Sequence, residues 1–173
     1  MITGYYLLYY MTDIAGFSTV LAASLYSTIQ IIKMVTMLFS GVIIDAINFR
    51  SGKYRTWVLV SGIGLGLFFP LSFFYYPLPQ SIYVVVFMII YTLQTLFYNV
   101  GWTAMRAVIG KVAKNKADVV ALNTSAQSAG TISSILYGYI GYPILGIALW
   151  AGTKQAYGCA SAIYGLTIIL GAI

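Results

Sequence analysis

The sequence predicts an all-α, polytopic membrane protein, and three observations carry that prediction. Of the 173 residues, 61% are hydrophobic and only 7% are charged, and the mean hydropathy is +0.91. A soluble domain has roughly 45–50% apolar and about 25% charged residues. The apolar residues also form long runs, and a helix needs about 20 of them to cross the ~30 Å hydrocarbon layer. Short polar segments separate these runs.

Helices 1 to 3 are predicted in the first part of the chain. Residues 2–16 are apolar and aromatic, but the run is short, and we expect the second half of a span whose first half is missing. Residues 18–47 are long enough to cross the membrane and carry Lys33 near their middle. Residues 57–76 form a third span, which ends at the proline-containing turn 77–79.

Helices 4 to 6 follow with similar polar breaks. Residues 81–109 form the fourth span and residues 119–150 the fifth. We expect the fifth to bend or break near Gly141 and Pro143, because proline removes a helical hydrogen bond. Residues 156–173 begin a sixth helix and stop. The prediction is one six-helix domain that occupies the whole chain, with helices 1 and 6 truncated.

Six of the nine basic residues lie in two loops on one side of the membrane, whereas the opposite loops hold only Lys154. Loop 48–56 follows helix 2 and loop 110–118 follows helix 4, so alternating spans put both on the same side. Cytoplasmic loops carry an excess of lysine and arginine. We therefore predict that both loops are cytoplasmic and that the protein is a multi-pass component of the plasma (inner) membrane. Because topology accounts for the net charge of +6, no nucleic-acid partner is expected.

The composition leaves few groups for enzyme chemistry. The chain has no histidine, three acids and one cysteine, Cys159, which lies in an apolar segment. A histidine-ligated metal site and histidine-based acid–base catalysis are therefore unavailable, and no pair of acids falls within a predicted span. We expect no catalytic residue, no metal site and no cofactor. The alternative to a transporter is a multi-span scaffold or subunit that needs a partner chain.

Two segments carry a family resemblance. The hinge between helices 2 and 3, Gly41–Trp57, reads GVIIDAINFRSGKYRTW, and the end of helix 1, Tyr9–Gly16, reads YYMTDIAG. Both resemble the corresponding segments of major facilitator transporters, in the form of the glycoside–pentoside–hexuronide cation symporters, the melibiose permease group. The spacing from Gly16 to Trp57 matches the group without a gap. Thr56 stands where the group usually has proline.

The resemblance implies that this chain is the six-helix N-terminal half of a twelve-helix transporter. In such proteins the substrate site lies between two halves near the membrane midplane, and one half rocks against the other to give alternating access. The implied function is secondary transport of a small solute: a sugar, a glycoside or a uronide. The implied partners are the lipid bilayer, that solute and a missing C-terminal half, in the same or a separate chain.

Helix 2 departs from the group at its cation site. Sodium-coupled members carry two acids four residues apart on this helix, and the gap-free spacing back from Gly41 puts these positions at Lys33 and Met37. An ammonium and a thioether do not hold sodium, which takes oxygen ligands. We therefore expect transport that does not need sodium, with Lys33 replacing the coupling cation or binding a carboxylate. The alternative is that Lys33 snorkels or pairs with the missing half.

Polar and aromatic groups are the candidate solute ligands. A charge in the middle of a membrane helix is costly and normally faces a cavity or a partner, which favours Lys33. Sugars stack on aromatic rings and hydrogen-bond to polar side chains, which favours Trp102. The predicted substrate-binding residues are Lys33, Gln30, Tyr98, Asn99, Trp102, Tyr6, Asn123 and Gln127. For the aromatic residues, ordinary helix packing is the competing interpretation.

The hinge is predicted to act as a gate rather than as a binding site. In the superfamily, the acid of this loop holds a network of bases and helix ends at the cytoplasmic interface between the halves. The resemblance puts that acid at Asp45 and the nearby bases at Arg50, Lys53 and Arg55. The simpler interpretation, that these bases only set topology, is compatible with a gate.

Overall fold

Six helices account for the regular structure in the part of the chain that the computed structural model describes. The described residues are 7–47, 49, 52–148 and 155–172, with side chains at all of these except 137 and 141–148. The predicted site residues Tyr6 and Arg50 lie outside them. The helices are α1 (residues 7–14), α2 (Thr19–Ala46), α3 (Lys53–Leu71), α4 (Gln80–Val112), α5 (Lys116–Ala148) and α6 (Ala156–Ala172).

A glycine and a capping serine separate α1 from α2. The last turn of α1, Tyr10–Ile14, is a π-helix, and Gly16 follows with φ of +72°, a left-handed conformation that glycine adopts without a steric penalty. Ser18 then caps α2, because its Oγ accepts a hydrogen bond from the backbone N–H of Leu21 at 3.3 Å. Helix α2 therefore covers nearly the range 18–47 that the sequence predicts.

Helix α3 lies closer to the N-terminus than the predicted range 57–76. It begins at Lys53, directly after Gly52, whose φ of +103° again requires glycine. It ends at Leu71, one residue after Pro70. The sequence prediction took the later proline, in turn 77–79, as the end of the helix. Instead, residues 72–79 form the connection, in which Phe73 is buried in the aromatic core.

Helices α4 and α5 are separated by three residues, 113–115, so the predicted loop 110–118 is mostly helical. Asn115 and Asp118 explain this. The Asn115 Oδ1 accepts from the backbone N–H of Asp118 at 2.8 Å, and the Asp118 Oδ2 accepts from the backbone N–H of Lys114 at 3.1 Å. These reciprocal bonds resemble a capping box, which begins a helix. Helix α5 then continues through residues 141–143, where a break was predicted, to Ala148.

Close approach of α3 and α6 depends on two glycines of α3, Gly62 and Gly66, which are one helical turn apart. A side chain at Gly66 would overlap the carbonyl of Gly165 and the side chain of Ile169, and one at Gly62 would overlap Ala172. Lipid does not drive apolar helices together, so such backbone contact supplies much of the packing energy. Helix α3 also packs against α4, and α4 against α2, whereas α5 makes fewer contacts, with α6 and α4.

The two ends of the bundle differ in composition. The aromatic end, where α1, α3 and α4 meet α6, has a core in which the Tyr10 hydroxyl donates to the Phe74 carbonyl at 2.8 Å and lies 2.7 Å from the Tyr83 hydroxyl. The basic end, where α2 ends, α3 begins and α4 gives way to α5, packs Trp57 against Ile44 and its neighbours. Helices α2, α3 and α4 are long and apolar enough to cross a membrane.

Candidate functional site

Lys33 lies half-buried near the middle of α2, facing α4. Its Nζ is 5.8 Å from the ring centroid of Tyr91, a buried residue of α4. An ammonium group at this distance from a ring face is attracted to the electrons of the ring. Among the described residues, no carboxylate lies within 4 Å of Lys33. The Lys33 ammonium therefore contacts an aromatic ring, and no acid among the described residues neutralises its charge.

Hydrogen bonds between helices continue from this point toward the basic end. The Asn99 Nδ2 donates to the Lys33 carbonyl at 3.1 Å and to the Thr36 Oγ1 at 2.7 Å. One turn further on, the Ser40 and Thr103 hydroxyl oxygens lie 2.8 Å apart. We call this set the α2–α4 seam; its residues are Lys33, Thr36, Ser40, Tyr91, Asn99 and Thr103. The amide nitrogen of Asn99 is thus committed to α2, and its carbonyl oxygen is the group left for a solute.

Two neighbouring positions on α2 point elsewhere. Gln30, one turn before Lys33, and Met37, one turn after it, are both exposed. Met37 occupies the second of the two positions at which the resemblance predicted cation ligands. The structure therefore turns Lys33, the first of these positions, toward the helix interface and leaves the second on the outer surface of α2.

A second group of predicted residues meets between α4 and α5. Trp102, Asn123 and Gln127 line a narrow cleft, together with Arg106. The cleft holds about 10 Å³, no more than the room for one water molecule. The guanidinium carbon of Arg106 lies 4.9 Å from the Trp102 ring centroid, so these two lining residues form a cation–π pair.

The polar face of α5 forms an open groove beside that cleft. The groove has a volume of about 570 Å³ and is lined by Asn123, Thr124, Gln127, Ser128, Thr131 and Ile132. Small-molecule sites typically occupy ~300–1,000 Å³. Polar groups in a membrane helix need a hydrogen-bonding partner, from water, a ligand or another helix. We call this surface the α5 groove. Asn123 and Gln127 belong to both the groove and the cleft.

Other polar and aromatic residues of α4 have different surroundings. Tyr98 is exposed one turn before Trp102. Gln94, by contrast, is tied to the residue that directly follows α3, since the Ser72 Oγ donates to its Oε1 at 2.6 Å. The sequence prediction of solute ligands left out Tyr91 and Arg106, although both lie at helical spacing from Tyr98 and Trp102. Their pairing with Lys33 and Trp102 depends on how the helices pack and turn, which no single-helix pattern contains.

At the basic end, the structure pairs one predicted gate base with the predicted gate acid. The Lys53 Nζ donates to the Asp45 Oδ1 at 2.7 Å, with the two side chains 25% and 74% exposed respectively. Arg55, two residues after Lys53 on α3, is exposed. Lys111, at the end of α4, was not predicted here, and its Nζ lies 4.8 Å from the ring centroid of Tyr54.

The comparison with known families covers the whole chain. Residues 1–173 match the family described as MFS/sugar transport protein. The chain belongs to this family. This membership confirms the predicted major facilitator recognition and the all-α, multi-pass membrane fold.

Three curated relatives of this MFS/sugar transport chain are transporters or symporters by name. It is 24% identical over 153 residues to the isoprimeverose transporter of Lactiplantibacillus pentosus, covering 88% of this chain and 32% of the relative. It is 26% identical over 168 residues to the putative glycoside/cation symporter YagG of Escherichia coli (strain K12), covering 95% of this chain and 36% of the relative. The inner membrane symporter YicJ of the same organism is 24% identical to it over 135 residues, covering 76% of this chain and 29% of the relative.

These relatives are much longer than the chain, which spans about a third of their length. No solved structure matches the chain at a significant level. One of the relatives, YagG, is named as a putative glycoside/cation symporter, the kind of transporter that the hinge resembles. Of the three glycines in the resembling segments, Gly16 and Gly52 adopt positive φ, so local backbone geometry accounts for their place in the motifs.

Proposed function

We propose that this chain is the N-terminal half of a secondary transporter that moves a sugar, a glycoside or a uronide by alternating access. The observation that carries the proposal is the α5 groove. Its amide and hydroxyl groups are exposed along a helix of a membrane protein. Asn123 and Thr131 donate to carbonyls of their own helix, whereas the Gln127 amide has no hydrogen bond among the described residues and needs a polar solute, water or another helix. The names of the relatives, an isoprimeverose transporter and glycoside/cation symporters, support the solute class.

The proposed solute site joins the α5 groove to the rings on α4. The Gln127 side chain is exposed and has no hydrogen bond among the described residues, so its amide is available to sugar hydroxyls. Trp102 lines the adjoining cleft, which shares Asn123 and Gln127 with the groove, and it offers a ring face once Arg106 moves off it. Tyr98, one turn away on α4, extends that aromatic surface. The second half of the transporter would supply the opposite wall.

We further propose that Lys33 replaces the coupling cation. Its ammonium lies at the first of the two helix 2 positions where sodium-coupled members have acids, and it faces the Tyr91 ring in the seam. A fixed positive charge at that place repels sodium and attracts a solute carboxylate. Transport is therefore independent of sodium, and an acidic solute such as a uronide gains an interaction that a neutral sugar lacks.

The basic end is proposed to face the cytoplasm of the plasma (inner) membrane and to form the gate. Asp45 keeps its second carboxylate oxygen unbonded among the described residues while Lys53 occupies the first. That oxygen is therefore available to a group from the second half when the gate closes. No group in this arrangement suggests catalysis, and we infer that the chain is not an enzyme.

Uptake by the complete transporter tests the proposal. Proteoliposomes that contain the full-length protein are assayed with labelled neutral sugars, glycosides and uronides. We expect saturable uptake, or exchange of internal for external solute, of at least one member of this panel. Correctly inserted protein that moves none of them would contradict transport and favour the scaffold interpretation.

A further inference from the structure

Two lysines from different helices share one tyrosine ring at the basic end. Lys111, in the last turn of α4, has its Nζ 4.8 Å from the ring centroid of Tyr54. Lys53, the first residue of α3, has its Nζ 5.9 Å from the same centroid. Ammonium groups within ~6 Å of a ring face are attracted to it. The ring therefore gathers two like charges where α3 and α4 meet.

Within the described residues, only one carboxylate pairs with these two ammonium groups. Asp45 accepts from Lys53 at 2.7 Å, whereas no carboxylate lies within 4 Å of Lys111, which is exposed. Asp118, the other acid at this end, is occupied by the α5 cap, where its Oδ2 accepts from the backbone N–H of Lys114. One positive charge of the cluster is left uncompensated, and a singly charged anion would neutralise it.

An exposed apolar stripe leads away from this cluster along α3. Val60 and Leu67 follow Lys53 at seven-residue intervals, about two helical turns each, so they lie on the same side of the helix. They are 37% and 55% exposed, and Ile63 beside them is also exposed. This surface differs from the α5 groove, because its exposed residues are apolar. Apolar surface that ends in a positive cluster at a helix terminus matches a phospholipid, with its acyl chains beside its headgroup.

We propose that Lys53, Tyr54 and Lys111 form a binding site for the phosphate of an anionic phospholipid. The two ammonium groups donate to the phosphate oxygens, the ring holds them apart and oriented, and an acyl chain lies along Val60 and Leu67. Basic pockets between membrane helices recognise lipid headgroups through such charges. The site lies on α3 and α4, outside the α5 groove. It shares Lys53 with the proposed gate, so the tests change only Lys111 and Tyr54, which the proposed transport does not use.

A lipid titration of the purified protein in detergent tests this site. Phosphatidylglycerol binding is measured by native mass spectrometry for the wild type, for Lys111→Gln and for Lys116→Gln. The control removes the same charge from an exposed lysine at the same end, on the first turn of α5. Lys111→Gln should weaken phosphatidylglycerol binding about fivefold, the contribution of one base near a membrane surface. Lys116→Gln should leave the affinity within about twofold.

Two further measurements separate the site from a general charge effect. Tyr54→Phe keeps the ring and should bind phosphatidylglycerol as the wild type does, whereas Tyr54→Leu should lose affinity as Lys111→Gln does. An equal loss from Lys111→Gln and Lys116→Gln would overturn the proposal. So would phosphatidylcholine binding as tightly as phosphatidylglycerol, or inorganic phosphate at millimolar concentration displacing the lipid.

Discussion

The α2–α4 seam and the α5 groove are both polar surfaces within a membrane protein, but their hydrogen-bonding groups are used differently. In the seam, Asn99, Thr36, Ser40 and Thr103 are bonded to one another across two helices. In the groove, the Gln127 amide has no hydrogen bond among the described residues and faces open space. Polar groups that are satisfied between helices hold the fold together. Those that are left open are the ones available to a solute.

Lys33 is the exception within the seam. Its backbone carbonyl takes part in the hydrogen bonds, whereas its side chain ends beside the Tyr91 ring with no acid within 4 Å among the described residues. The fold thus places a charge in a well-packed interface but does not neutralise it there. The backbone carbonyl of Lys33 therefore has a structural role, and the side-chain ammonium is the group that we assign to coupling.

The largest expected effect is on the stability of the seam. Asn99→Leu removes two hydrogen bonds between helices and should lower the free energy of unfolding by about 2 kcal/mol, at ~1 kcal/mol for each bond in a membrane protein. Denaturant unfolding in detergent micelles measures it. Asn123→Leu is the matched control, because its amide is exposed and donates only to the carbonyl of Val119 on its own helix. If both variants lose the same stability, the distinction between seam and groove is wrong.

The next effect is on transport through the groove. Gln127→Leu in the full-length protein should reduce the initial rate of solute uptake roughly tenfold, which corresponds to ~1.4 kcal/mol for lost hydrogen bonds to a solute. Its unfolding should stay within ~0.5 kcal/mol of the wild type, as is usual for exposed positions. Gln80→Leu, the same change at the exposed start of α4, serves as the control. Unchanged uptake in Gln127→Leu would remove the groove from the solute path.

The smallest effect is expected at the gate. Asp45→Ala breaks an ion pair whose acid is 74% exposed, so its energy should not exceed ~1 kcal/mol. The ratio of inward-facing to outward-facing protein should therefore shift about two- to fivefold, as measured by labelling of a single cysteine placed on each side. The double exchange Asp45→Lys with Lys53→Asp should restore the ratio. If Asp45→Ala does not shift this ratio, the gating role is wrong and the loop bases only set the membrane topology.

Local sequence signals predicted the helices better than their connections. The apolar run 18–47 matches α2, Thr19–Ala46, to within one residue at each end. The connection between α4 and α5 was predicted too long, because its charged residues suggested a loop. Asn115 and Asp118, three residues apart, instead begin a helix there. The end of α3 depends on Phe73 packing into the aromatic core, which is a tertiary contact.

The candidate site was predictable only as far as single helices allow. The spacing of Asn123 and Gln127 puts them one turn apart, and the structure does bring both to one groove. Asn99 was expected to face a solute, and nothing in α4 alone indicates that its amide nitrogen bonds to Lys33 and Thr36. The register between α2 and α4 decides that contact, as it decides the pairing of Lys33 with Tyr91.

Sodium dependence tests the central claim most directly. The full-length protein in proteoliposomes is assayed for initial uptake in sodium chloride and in choline chloride, for the wild type and for Lys33→Asp. We predict equal wild-type rates in both salts, because the Lys33 ammonium occupies the place of the coupling cation. Lys33→Asp should lose uptake in choline and regain part of it in sodium. A wild-type rate that falls when sodium is removed would contradict the account.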